Sequence, residues 1–412
     1  MLALSVIGLY GCATAPVSDL APGDRPELDT DEAGLWQAME RDEFTLRTSS
    51  AVIRDPGLQQ YLESVLCQAA PDYCADIRLY VIPSPDFNAA MGPNGVMLIF
   101  TGLLLRIENE AQLAAVMSHE VGHFVRRHSL QQLRAWRSRT AGLQTFAAVL
   151  SAGASIASAQ ANSALAAGDL STAVSRYDLA STIASAGSAL LSSLQVWAIM
   201  GQLEYSRDQE TESDDLGLDW MATAGYDPGV VDDIWQYMQE EDEASELGIP
   251  AYLRTHPLPE ERMLRNRQRA AELTADHPDA RAIQPETFMA SIAPYRHAWL
   301  GSTRAGLDRQ SEELLIERQR QLGVDPGLVL FHEADMLRKH GEPHQSNLAL
   351  RTHQRATDHP GAPPEAFREI GLLQWENDRL VEARSAFSEY LSRAPDAPDY
   401  LLIHSYIEEL SE

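Results

Sequence analysis

The stretch "SHEVGHF" at positions 118–124 constrains this chain more than any other. His119 and His123 are four apart, and residues four apart on an α-helix share one face, with Cβ atoms about 5–6 Å apart. The surroundings are helical in pattern: Leu113, Val116, Met117, Val121 and Phe124 recur at helical spacing. Asn109 can cap that helix, with Gln112 at the capping-box position. Two imidazoles placed this way reach one zinc ion at about 2.0–2.1 Å each. Glu120 then stands beside the ion as the general base that takes a proton from the attacking water. The competing reading is two partly buried core histidines, which would need no further ligand.

A catalytic zinc site needs a third protein ligand and an open position. The segment "EYSRDQETESDDLGLDW" offers Glu210 and Asp214, again four apart on a helical pattern. Glu210 can complete a His2Glu set, and Asp214 can accept the free ring N–H of a ligating histidine. Leu216, Leu218 and Met221 lie among the acids, so one face of this second helix is expected to be buried.

The two motifs together resemble metallopeptidase family 48, the HtpX- and CAAX-prenyl-protease-like zinc peptidases, which pair H-E-x-x-H with E-x-x-x-D on a second helix. Ser206, Arg207, Glu210, Glu212, Asp214 and Gly217 occupy the places of that family's second motif. Ser213 stands where alanine is usual, a change expected to be silent. The resemblance covers roughly residues 30–265. It implies one Zn2+ per chain on His119, His123 and Glu210, Glu120 as the catalytic base, and Asp214 and Arg207 behind the ligands. It also implies a regulatory role or fourth ligation for His256 in "THPLPEER". Set against that role, "HP" recurs at His277 and His359, so the dipeptide alone is not distinctive.

The remaining sequence bounds the setting. A net charge of −28 over 412 residues leaves no basic patch for phosphates, which argues against nucleic acid or anionic lipid as a partner. "MLALSVIGLYGCATAP" holds an apolar run too short to be a spanning helix and reads as a secretory signal with a lipobox ending at Cys12. An ordinary secretion signal or a buried strand are the alternatives. Cys67 and Cys74 then remain as an even pair closing a short loop, expected to be disulfide-bonded in an oxidising compartment, with two free buried thiols as the alternative.

Along the chain, residues 1–12 read as the signal, 13–30 as a Pro- and Asp-rich tether, and 31–265 as the peptidase domain. Within it, "DIRLYVIP" and "GVMLIFTG" read as strands. An Ala/Ser-rich stretch at 137–200 reads as a packed helical hairpin rather than membrane helices, because its Ser and Gln density is high for a span. Residues 266–309 read as a helical connector. Residues 310–412 match tetratricopeptide spacing, with Gly371, Ala383, Phe387 and Pro395 at the defining places and a weaker copy near Phe331 and Ala334. The fold class is therefore mainly α (α+β): a zincin-like metallopeptidase domain with a small sheet, then an α-helical repeat domain.

Within the family, this arrangement resembles the periplasmic BepA-type branch. That implies an exported protein, anchored to the outer membrane of a Gram-negative bacterium by lipid alone, that hydrolyses misfolded or unassembled envelope proteins. The strand near Val96–Thr101 is the expected edge for an extended substrate. Partners would be unfolded protein substrates and, through the repeats, the outer-membrane assembly machinery. The rival reading is a chaperone or scaffold that binds clients through its repeats while proteolysis stays latent.

Overall fold

The computed structural model describes residues 17–28, 30–139, 204–245, 251–257, 259–341 and 346–411, together with Leu190, Leu194 and Trp197. Cys12 and most of the 137–200 hairpin lie outside the described residues.

Helix α1 (Asp31–Thr48) is capped by Thr30, and α2 (Pro56–Ala69) by Asp55 with proline in its first turn. This is the "RDPG" break acting as a stop and a start. Cys67, near the end of α2, is bonded to Cys74 across a Cα separation of 4.8 Å. Three strands follow: β1 (Arg78–Ile82), β2 (Ala89–Met91) and β3 (Val96–Phe100). Their order is β1-β3-β2, with β1 parallel and β2 antiparallel to β3.

All five residues of β3 are buried, because both faces of the strand are covered. Met97 and Ile99 join the main core under α2, whereas Val96, Leu98 and Phe100 pack with Leu46, Val52, Leu190 and Leu194 on the other face. Side chains alternate along a strand with period two, and the core divides accordingly. This order corrects one expectation. β3 is the central strand, so it has no free edge to offer; the edge beside the candidate site is β2, a three-residue strand too short to read from the sequence.

After the short α3 (Thr101–Leu104) come α4 (Glu110–Val125) and α5 (His128–Arg139). Beyond the undescribed stretch lie α6 (Arg207–Thr223), α7 (Val231–Ala244), the short α8 (Ala251–Thr255) and α9 (Glu260–Asp276). Helix α4 is buried along its whole length. Asn109 caps it, accepting from Gln112 N at 2.9 Å, while the Gln112 amide oxygen accepts from Glu108 N at 2.7 Å. Helix α6 starts at a capping box between Ser206 and Gln209.

The chain continues through α10 (Pro285–Ala305) and α11 (Arg309–Gln321) into α12 (Pro326–His340), α13 (Ser346–Ala356), α14 (Glu365–Glu376), α15 (Leu380–Arg393) and α16 (Tyr400–Glu409). Helices α12 with α13 and α14 with α15 pack as successive pairs. Gly371 lies against Phe387, where an added Cβ would meet the ring at 2.5 Å. The pairs are joined firmly to the first domain. Arg318 on α11 donates to Arg106 O and stacks over Tyr237 at 4.6 Å, and Gln319 donates to Leu105 O at 2.8 Å. No described helix is long and apolar enough to cross a membrane.

The segment expected as a tether is partly docked. Leu20 is buried and its N–H donates to Val125 O, at the end of α4. Tyr73 donates to Leu20 O, and Arg126 donates to both carboxylate oxygens of Asp19.

Candidate metal centre

Helices α4 and α6 cross where each carries a glycine. A Cβ on Gly122 would stand 2.9 Å from Ser213 Cα, and one on Gly217 would stand 3.0 Å from His119 N. The absence of both side chains is what lets the two backbones approach this closely. That approach brings His119 and His123 from α4 against Glu210 and Asp214 from α6. His256, directly after α8, closes the group.

His119 Nε2 lies 3.0 Å from His123 Nε2 and 3.3 Å from His256 Nδ1. Glu210 Oε1 is 3.0 Å from His256 Nδ1 and 3.5 Å from His123 Nε2, and Glu210 Oε2 is 3.6 Å from His119 Nε2. One donor atom from each of His119, His123, Glu210 and His256 falls within 4.8 Å of the others, and all four residues are buried. A tetrahedral ion with ligands at about 2.0–2.1 Å has ligand–ligand edges of roughly 3.3 Å, so the spacings fit.

The chemistry of the donors makes the same point. Asp214 Oδ1 is 2.9 Å from His119 Nδ1, and a carboxylate only accepts, so a neutral His119 carries its proton there and turns a bare lone pair inward. His123 presents Nε2 to that lone pair at 3.0 Å. Two ring nitrogens at this distance need a proton or a cation between them, and with the His123 proton on Nδ1 it is a cation that fits. The charges suit a cation: three carboxyl groups, Glu120, Glu210 and Asp214, are buried here, and Arg262 pairs with two of them, Glu210 and Asp214.

The acids and bases respond to this setting. Burial pushes the Glu120 carboxyl above its ordinary range, only partly offset by His256 and His119. Burial and the neighbouring histidines hold His123 well below its usual value. Burial would lower His119 too, but its bond to Asp214 outweighs that and raises it. Burial opposes ionisation of Glu210 and Asp214; the charges of His256 and Arg262 for the first, and of Arg262 for the second, hold both carboxyls low.

Arg262, from α9, donates to both oxygens of Asp214 at 2.7 and 2.8 Å, lies 2.5 Å from Glu210 Oε2, and donates to Pro257 O. Asn266 donates to Asp214 at 2.9 Å. Arg262 fills the place expected for Arg207. Arg207 is in the first turn of α6, with its side chain 79% exposed, and pairs with Glu261 at 3.7 Å on the surface. It starts the helix three residues, about 4.5 Å, before Glu210 and does not reach the buried cluster.

His256 directly follows α8, on the connection to α9, its N–H donating to Tyr252 O. Tyr252 stacks on His256 at 4.4 Å between centroids, and Tyr205 stacks on His123 at 3.8 Å. His256 Nε2 faces Glu120 Oε1 at 3.5 Å. Tyr205 and His128 carried no signal in the sequence, and Arg262 stood out there only as the arginine that follows His256. His128 is fully buried, with Nδ1 2.9 Å from His123 Nδ1. Ser213, expected to be silent, places its hydroxyl 3.3 Å from the same His128 nitrogen.

Against known proteins, the family described as Peptidase family M48 matches residues 53–278. The beta-barrel assembly-enhancing protease of Escherichia coli K12 is 26% identical over 279 residues, 66% of this chain and 52% of that protein. The protein of the same name from Yersinia pestis is 26% identical over 238 residues, 57% of this chain and 43% of its own length. The mitochondrial metalloendopeptidase OMA1 of Schizosaccharomyces pombe is 28% identical over 186 residues, 45% of this chain and 44% of its own. The chain spans about half the length of the curated relatives it matches.

Proposed function

The chain belongs to peptidase family M48, and from that premise we propose that it is a zinc-dependent metalloendopeptidase. The observation that carries the reading is the buried cluster itself: inward-facing nitrogen lone pairs and a carboxylate around one point, with a second carboxylate, Glu120, beside it. His119, His123 and Glu210 would hold the ion. When bound, Zn2+ supplies Lewis acidity toward a peptide carbonyl and toward water. Glu120 takes the proton from the attacking water; its raised pKa suits a base that must also return that proton to the leaving amine.

β2 receives the substrate. In its ladder Asn88 O accepts from Phe100 N and Gly92 N donates to Val96 O, so the backbone groups of Ala89 and Met91 point away from β3. The Met91 backbone N–H faces the Glu120 carboxyl. An extended peptide adding along Ala89–Met91 would therefore lie next to the base. Recognition through main chain suits substrates of broad sequence.

His256 is the resting latch of this reading. Its Nδ1 stands within reach of the ion and its Nε2 faces Glu120, so the ring fills the space water needs. A fourth protein ligand closes a zinc site. Activation withdraws His256 together with Tyr252. The same closure favours a second reading, in which the chain mainly binds clients through helices α12–α16 as tetratricopeptide-like repeats and proteolysis is latent. In either case the clients are misfolded or unassembled envelope proteins, and the chain is exported, with Cys12 lipidated at the outer membrane. The names of the Escherichia coli and Yersinia relatives support that setting.

The test compares wild type with Glu120→Gln for zinc content and casein cleavage. The variant keeps its zinc, and cleavage falls by several orders of magnitude. Wild-type cleavage by Glu120→Gln would refute the assignment.

A further inference from the structure

We infer that His128 and Glu212 form a relay that positions His123 as a metal ligand. The inference rests on reading the buried cluster as a zinc site. For His123 to offer Nε2 to an ion, its proton must sit on Nδ1 and be accepted there. The atom facing His123 Nδ1, at 2.9 Å, is Nδ1 of His128. Two imidazole nitrogens can share one proton in either direction, so something further has to set which of them donates.

Glu212 sets it. Its Oε2 lies 3.4 Å from His128 Nε2, on the far side of the ring. A carboxylate accepts and does not donate, so His128 carries its proton on Nε2 and its Nδ1 is the acceptor. His123 Nδ1–H then donates to His128, and the His123 Nε2 lone pair is left for the ion. The Ser213 hydroxyl, 3.3 Å from His128 Nδ1, is compatible with that tautomer, donating to the same lone pair. The arrangement mirrors Asp214 on His119 Nδ1. Three acids at alternate positions of α6 thus divide the work: Glu210 at the ion, Asp214 behind one histidine and Glu212 behind the other through His128.

The backbone is shaped to permit this. His128 is five residues after His123, which on a continuous helix turns it about 140° away. Instead α4 ends at Arg126, and Arg127 takes a left-handed conformation, φ 54°. An L-residue adopts that conformation only against a steric penalty. Arg127 is held there by Glu32 at 3.1 Å, and the reversal returns the His128 ring to His123, fully buried.

The test measures Zn2+ affinity of the purified full chain by competition with a chromophoric chelator. His128→Ala should bind zinc roughly 10–100-fold more weakly, the usual cost of losing an outer hydrogen-bond partner of a ligand. His128→Asn places its amide oxygen where Nδ1 was and should recover most of the affinity. His128→Gln places its amide near the Nε2 position and should not. Thermal unfolding of the metal-free proteins separates this from packing, which would affect Asn and Gln alike and follow metal-free stability. Wild-type affinity in His128→Ala, or equal affinities for Asn and Gln, would overturn the relay; where the alanine variant does not fold, the Asn–Gln pair decides alone. A wild-type chain that binds no zinc would overturn the site reading itself, and the relay with it.

Discussion

The glycine crossing lends itself to a quantitative test. In Gly122→Ala the new Cβ would lie 2.9 Å from Ser213 Cα and 3.0 Å from Ser213 O. Carbon atoms rest at about 3.5–4.0 Å, so the contact is short by roughly 0.6–1.1 Å. Both neighbours are helix backbone, so no side chain can swing away, and α4 and α6 have to separate. Overpacking of this kind costs about 1–3 kcal/mol, while replacing glycine inside a helix returns about 1 kcal/mol. Metal-free stability should therefore fall by only about 0–2 kcal/mol. The zinc site should suffer more. His119 and His123 are on one helix and Glu210 on the other, so the separation lengthens the His–Glu edges directly, by several times the ~0.2 Å tolerance of metal–ligand distances. We expect at least a tenfold loss of zinc affinity, read by chelator competition, beside a small change in metal-free denaturant unfolding. Zinc binding at wild-type strength in a folded Gly122→Ala protein would refute the claim that these glycines set the ligand spacing.

Two further predictions concern the latch and pH. His256→Ala should raise basal cleavage of an unstructured substrate in zinc-replete enzyme; lowered or unchanged cleavage would rule the latch out. His128 is held down at about 4, chiefly by burial. Because the unfolded chain takes up a proton near pH 6.5 and the folded one only near 4, the metal-free protein should lose stability as pH falls between those values, by on the order of 3 kcal/mol in full. Denaturant unfolding at pH 7 and pH 4.5 should show that slope reduced in His128→Asn, and an unchanged slope would count against it.

What could be read in advance was what lies within one helical turn. His119 with His123, and Glu210 with Asp214, are local pairs whose spacing fixes their common face before any tertiary contact exists. The two longer strands were legible because their β-rich runs are bounded by turn residues. The role of Arg262 was not legible, because it reaches Asp214 from 48 residues downstream and only its place after His256 distinguishes it from the arginines around it. His128 was hidden by the opposite problem. Helical periodicity places it on the wrong face, and only the break at Arg127 brings it back. Arg207 was overread: it belongs to the motif in sequence but to the surface in space. β2 was missed because three residues carry no measurable alternation.

The docking of Leu20 and Asp19 onto the end of α4 also sets a reach. If Cys12 carries a lipid, seven steps of chain separate that anchor from Asp19. Fully extended at about 3.3–3.6 Å each, they span at most about 25 Å. The catalytic domain would then be leashed by the very helix that carries His119 and His123, and would sweep a shallow layer rather than a volume. A client would meet the site only while it lingered near that surface, so residence time there, and not affinity alone, would decide which chains are cut.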